Sequence, residues 1–83
     1  MPTRLYAQQT AQHALETAPS GTTSSWRNPD TGHSGTFTPE KTYKAADGDD
    51  CRDFTSTVTI QGRAETMRGQ ACRQPDGTWR IVG

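Results

Sequence analysis

Cys51 lies ten residues before Gln61, and Cys72 lies ten residues after Gly62. That symmetry constrains the chain more than any other feature. If Gln61-Gly62 is a two-residue hairpin turn, the two cysteines face each other across an antiparallel ladder. Counted from the pair that flanks the turn, Ile60 and Arg63, they fall at a non-hydrogen-bonded site. Opposite Cα atoms there lie only about 4.5 Å apart, within reach of a disulfide. Two buried thiols in a cytosolic protein are the competing reading. Gln-Gly is also a weaker turn signal than Asn-Gly, and a bulge would move the register by one. The register favours the bridge. A bridge implies an oxidising compartment, whether periplasm, cell surface or secretion. In chain-entropy terms it contributes about 3 kcal/mol.

Such a contribution matters because the core is small. Of the 83 residues 29% are hydrophobic, and eight of those are alanine. Without alanine and Met1, fifteen larger apolar side chains remain to build an interior. A chain this short buries only about 60% of the surface it exposes when unfolded. Fourteen threonines, eight glycines and five prolines point to strands joined by tight turns. Nine basic and nine acidic residues cancel. That balance excludes a DNA-coating or polybasic membrane-binding protein, both of which need excess positive charge. No apolar run approaches the roughly 20 residues of a membrane helix. The start, Met1-Pro2-Thr3-Arg4, lacks the apolar stretch of a secretory signal.

A helix is expected over residues 4–17, with Thr3 as N-cap and Pro19 beyond its end. Residues 1–3 then precede a single domain spanning 4–83. Ala7, Ala11, Ala14 and Ala18 recur at helical spacing beside Leu15, giving a flat face suited to a sheet. Strands are expected over 22–27, 36–44, 51–60, 63–73 and 78–82. The second bends near Pro39, which suits an edge position. Phe37 and Tyr43 share a face only if no bulge intervenes. Phe54, Val58 and Ile60 alternate against Asp53, Thr55, Thr57 and Thr59. The hairpin register sets Met67, Gly69 and Ala71 on the same apolar face, with Gly69 opposite Phe54. It puts the disulfide on the more polar face, where helix or loop must cover it. Gln74-Pro75-Asp76-Gly77 reads as a type I turn, and Trp79 and Ile81 point to the core. Trp26, Phe54, Ile60 and Trp79 are expected in one core under the alanines. The fold class is α+β: an N-terminal helix on a four- to five-stranded antiparallel β-meander, a small roll or partial barrel, with one disulfide.

Chemistry is sparse. His13 and His33 lie far apart in sequence, and no serine has a nucleophile-elbow frame. Two cysteines and two distant histidines do not match zinc-ligand spacing. Asp47, Asp49 and Asp50 offer a hard cation only weak ligation. No catalytic residue, cofactor or metal is therefore expected. Arg52, Arg63, Arg68, Arg73 and Arg80 crowd the last three strands. They are either an anion- or partner-binding surface, or a set neutralised by nearby aspartates whose stems cover apolar surface.

Several segments also carry a resemblance. They are Ala14-Leu15-Glu16-Thr17, Trp26-Arg27-Asn28-Pro29-Asp30-Thr31-Gly32, Gly35, Thr38-Pro39, Thr42-Tyr43, Cys51-Arg52-Asp53-Phe54 and Val58-Thr59-Ile60. The most specific is Ala71-Cys72-Arg73-Gln74-Pro75-Asp76-Gly77-Thr78-Trp79 with Ile81-Val82. In this order, over nearly the whole chain, they resemble the C-terminal domain of the bacterial seventeen-kilodalton surface-antigen family. The resemblance implies a Gram-negative envelope protein of the periplasm or outer membrane, in a family typically of lipoproteins. Members usually carry a signal peptide, a lipid-accepting cysteine and a glycine zipper ahead of this domain. These 83 residues show none of the three, so membrane association is expected only through segments outside them. The implied function is a noncatalytic envelope module that supports outer-membrane structure or displays an interaction surface to an unidentified envelope component or protein. The alternative is a periplasmic inhibitor, or a glycan- or polyanion-binding module gripping its ligand through the arginines. No nucleic acid partner is expected.

Overall fold

The computed structural model describes residues 2–82. One helix, α1 (Thr3–Thr17), precedes five strands: β1 (Ser24–Arg27), β2 (Ser34–Lys44), β3 (Asp50–Ile60), β4 (Arg63–Arg73) and β5 (Trp79–Ile81). The strands pair in chain order as one antiparallel sheet that curls into a half-barrel. The hairpin register is the one expected: Ile60 faces Arg63, Phe54 faces Gly69 and Cys51 faces Cys72. Positive φ at both Gln61 (52°) and Gly62 (78°) matches the right-handed strand twist without a bulge.

A bulge does occur in β2. Pro39 pairs with Phe54 while Thr42 pairs with Arg52, so one extra residue lies between them. The shift sends Phe37 to the helix side and Tyr43 to the outer face, beside Cys51. β2 is no edge strand at its start, where β1 covers Ser34 to Phe37. Beyond Phe37 no strand among the described residues pairs on that side, but residues before β1 run alongside, and Pro39, with no N–H to offer, accepts the Gly21 N–H at its carbonyl.

The core joins Ala14 and Leu15 of the helix to Phe37, Phe54, Ala71 and Trp79 of the sheet. The Phe37 and Phe54 rings stack with centroids 4.7 Å apart. Trp26 is buried separately, against Gly35 on the neighbouring strand. A Cβ at Gly35 would come within 2.5 Å of the indole and 2.4 Å of the Thr57 carbonyl oxygen, so only glycine fits. Ile60, Met67 and Ile81 hold the expected face but not the expected burial, being 43%, 62% and 59% exposed.

Thr3 is the first helical residue rather than the N-cap, a position Pro2 takes without a side-chain hydrogen bond. The Thr3 hydroxyl turns instead to the β1–β2 turn, 2.8 Å from His33 Nδ1, and accepts a hydrogen bond from buried Asn28. The disulfide is formed, with Cα atoms 4.1 Å apart. The β2–β3 loop rather than the helix lies over it, with Cys51 Sγ 3.7 Å from the Asp49 carbonyl oxygen.

Candidate functional site: an open groove beside the helix

Three polar attachments fix how α1 crosses the sheet. Thr3 ties its start to the β1–β2 turn. At its other end, Arg52 donates from its guanidinium to the Ala14 and Leu15 carbonyls at 3.4 and 2.9 Å, and to Ser20 and Thr42 hydroxyls. The Ala14 carbonyl already accepts the Ala18 N–H at 2.8 Å, so Arg52 adds a second donor there and serves the Leu15 carbonyl more closely, setting positive charge at the negative end of the helix dipole. Between the two, Gln12 and Glu16, one helical turn apart, hold β5. The Gln12 amide accepts from the Trp79 N–H at 2.8 Å and donates to the Trp79 carbonyl at 2.7 Å. A side chain thereby does what a sixth strand would do at that edge. Glu16 Oε1 accepts from the Trp79 indole and from Arg73 Nε, each at 2.9 Å. Those two bonds, Arg73 first, hold the Glu16 carboxyl below the usual carboxylate range and raise the Arg73 guanidinium.

The helix therefore runs diagonally, from β5 at the disulfide end to β1 at the far end. It leaves one corner of the half-barrel open. There a groove of about 490 Å³ lies between the alanine face of α1 and the sheet, with Trp26 of β1 and Phe37 of β2 also in its lining. Phe54 and Trp79 form its buried part, Met67 and Ile81 line it from exposed positions, and exposed Arg4 and Arg80 also border it. The remaining polar lining is serine and glutamine. Beside the groove, β5 covers β4 only from Ala71 to Arg73.

The arginines singled out in the sequence do not come together. Arg52 is buried beneath the helix end and its donors are spent there. Arg73 pairs with Glu16. By register Arg63 lies on the helix-side face and Arg68 on the other; Arg80 also starts from the other face but, on the edge strand β5, borders the groove. In the acidic loop, Asp47 caps the Asp49 N–H and Asp50 pairs with Lys44 at 2.8 Å. The Lys44 ammonium lowers the Asp50 pKa, and Asp50 raises that of Lys44. Among the described residues no three His, Cys, Asp or Glu side chains are grouped to hold a metal ion. His13 is exposed on the outer side of the helix. The Gln12 and Glu16 clamp and the open corner escaped the sequence. The only signal was a polar i, i+4 pair flanking the alanine face, which reads equally well as a solvated surface.

The architecture defines a class: a small disulfide-bridged half-barrel with one helix laid across it and an open apolar groove. Residues 13–80 match the family model described as 17 kDa outer membrane surface antigen, and the chain belongs to that family. It is 53% identical over 79 residues to the 17 kDa surface antigens of Rickettsia conorii and of Rickettsia rickettsii. Those matches cover 95% of this chain and 50% of each relative. The antigen of Rickettsia prowazekii is 53% identical over 73 residues, 88% of this chain and 46% of its own. The chain thus spans about half the length of the curated relatives it matches. No solved structure matches it. No helix among the described residues is long and apolar enough to cross a membrane, which says nothing of strands.

Proposed function

We propose that this chain is a noncatalytic module of the Gram-negative cell envelope, in the periplasm or outer membrane, acting by displaying its helix-side groove. The observation that carries this reading is the exposure of Met67 and Ile81 around one open corner. Contiguous exposed apolar surface on a small domain marks an interaction site. The groove is lined by apolar side chains, glutamines, Ser56 and two arginines, with no histidine, carboxylate or lysine among the described lining residues to act as the serine's base. The family is named for an outer-membrane surface antigen, which supports the envelope location. The arginine-gripping inhibitor has less support, because its five residues divide between an internal cap, an ion pair and two faces.

A photo-crosslinking residue at Met67, compared with one at Thr66, tests this reading in envelopes of producing cells. Thr66 is also exposed but faces the other way by register. Discrete products from position 67 and none from position 66 are expected. Equal products from both, or none from either, overturn the groove as the displayed surface. Turnover by the isolated chain that one point substitution abolishes overturns noncatalysis.

A further inference from the structure

We propose that the groove binds a single acyl chain bearing an anionic head group. This assignment deepens the reading above and rests on the groove being the displayed surface. Its volume of about 490 Å³ lies within the roughly 300–1,000 Å³ of small-molecule sites. Phe54, Trp79, Met67, Ile81 and the alanine face of α1 offer an apolar trough, open along one side. The Gln12 amide beside Trp79 is already committed at both ends to the β5 backbone. The part of an occupant that enters is therefore mainly apolar, since most of the wall offers a polar group no partner for the water it would lose.

The border supplies the head-group preference. Arg4 and Arg80 line the groove, and no aspartate or glutamate does. Among the described residues neither arginine has an ion-pair partner. The chain as a whole is neutral, so this local excess of two positive charges is not a reflection of bulk composition. An anionic head beside these guanidiniums gains charge-assisted hydrogen bonds while its chain is shielded from water. A peptide with an acidic flank shares the charge. However, it would carry a backbone donor and acceptor at every residue into a trough lined mainly by apolar side chains.

Decanoate, decanol and decyltrimethylammonium, all below their micelle concentrations, test the assignment on the oxidised 83-residue chain by NMR titration. Saturable shifts are expected at the Trp79 indole and the Met67 and Ile81 signals. Decanoate should bind about tenfold more tightly than decyltrimethylammonium at low salt, a gap that narrows as salt screens the arginines. Met67→Glu and Ile81→Glu alter exposed side chains, leave the core intact, and should weaken decanoate at least about tenfold. The pair Arg4→Glu and Arg80→Glu should erase the head-group preference and leave decanol unchanged. Absence of saturable binding, equal binding of the three head groups, or indifference to Met67→Glu overturns the proposal. An acidic leucine-bearing peptide that binds more tightly than decanoate reassigns the groove to a protein partner and also overturns it. If the amphiphiles fail while crosslinks at position 67 persist, the ligand class falls and the displayed surface stands.

Discussion

The two ends of the β3–β4 hairpin share one register and differ in almost everything else. At the disulfide end, Cys51, Arg52, Phe54 and Ala71 are buried between helix, loop and sheet. At the turn end every residue from Ile60 to Arg68 is exposed. The molecule is correspondingly long, with principal extents of 40 × 22 × 21 Å. Alternation along the strands continues unbroken from one end to the other. What stops is the cover, because α1 crosses diagonally and β5 is only three residues long. The comparison teaches that strand alternation assigns a face, whereas burial is decided by what reaches that face. Along this hairpin the buried contacts gather at one end and the available surface at the other.

The largest expected effect separates the ends directly. Phe54 and Met67 both hold helix-side positions by register, yet Phe54 is 3% exposed and Met67 is 62% exposed. Phe54→Ala removes a ring stacked on Phe37 and leaves a cavity, at a cost of about 3–5 kcal/mol. Met67→Ala should change stability by no more than about 0.5 kcal/mol. Urea denaturation of the two variants measures both. Similar losses would mean that the open corner carries structure as well.

Reduction of the disulfide comes next, with about 3 kcal/mol expected from the loop it closes. For a domain with so small a core that is a large share of the whole. The melting temperature should fall by many degrees in reductant. Amide hydrogen exchange should show the loss concentrated in β3, β4 and β5 near the bridge. An unchanged melting temperature would place the stabilising weight elsewhere, on the helix attachments.

The hairpin register was legible because one short turn, two cysteines and a run of alternating residues all required the same pairing. Phe54 opposite Gly69 and Cys51 opposite Cys72 follow from it without further input. The bulge in β2 was half legible. Pro39 announces an irregularity, but only pairing shows that an extra residue follows it and turns Tyr43 away from Phe37. The groove was not legible, since Met67 and Ile81 carry the same apolar pattern as buried positions. Arg52 was misleading for a related reason. Next to four other arginines it reads as surface charge, and only the helix end placed over it turns it into an internal cap. Both misreadings concern contacts between segments far apart in sequence, about which local pattern is silent.

The smallest expected effect concerns pH, and it sharpens the contrast between a fastened and a free carboxylate. Glu16 at the fastened end accepts hydrogen bonds from Arg73 and from the Trp79 indole, and its pKa is lowered from the ordinary 4.5, chiefly by Arg73. A carboxyl whose folded pKa is depressed binds its proton more readily in the unfolded chain. Its contribution to stability is therefore present above the unfolded value near 4.5, and is lost as pH falls through the lower folded value. Glu16→Gln keeps an amide oxygen for the indole but removes the charge. The melting-temperature gap between the parent chain and this variant should be widest near neutral pH and should close in acid. Glu65, at the open end of β4, makes no hydrogen bond or ion pair among the described residues, so Glu65→Gln serves as the matched control. It should leave neutral-pH stability within about 0.5 kcal/mol of the parent. A Glu16→Gln gap that stays constant from neutral pH into strong acid would show that the clamp on β5 works through packing and neutral hydrogen bonds. The carboxylate's charge would then contribute nothing to holding the closed end shut.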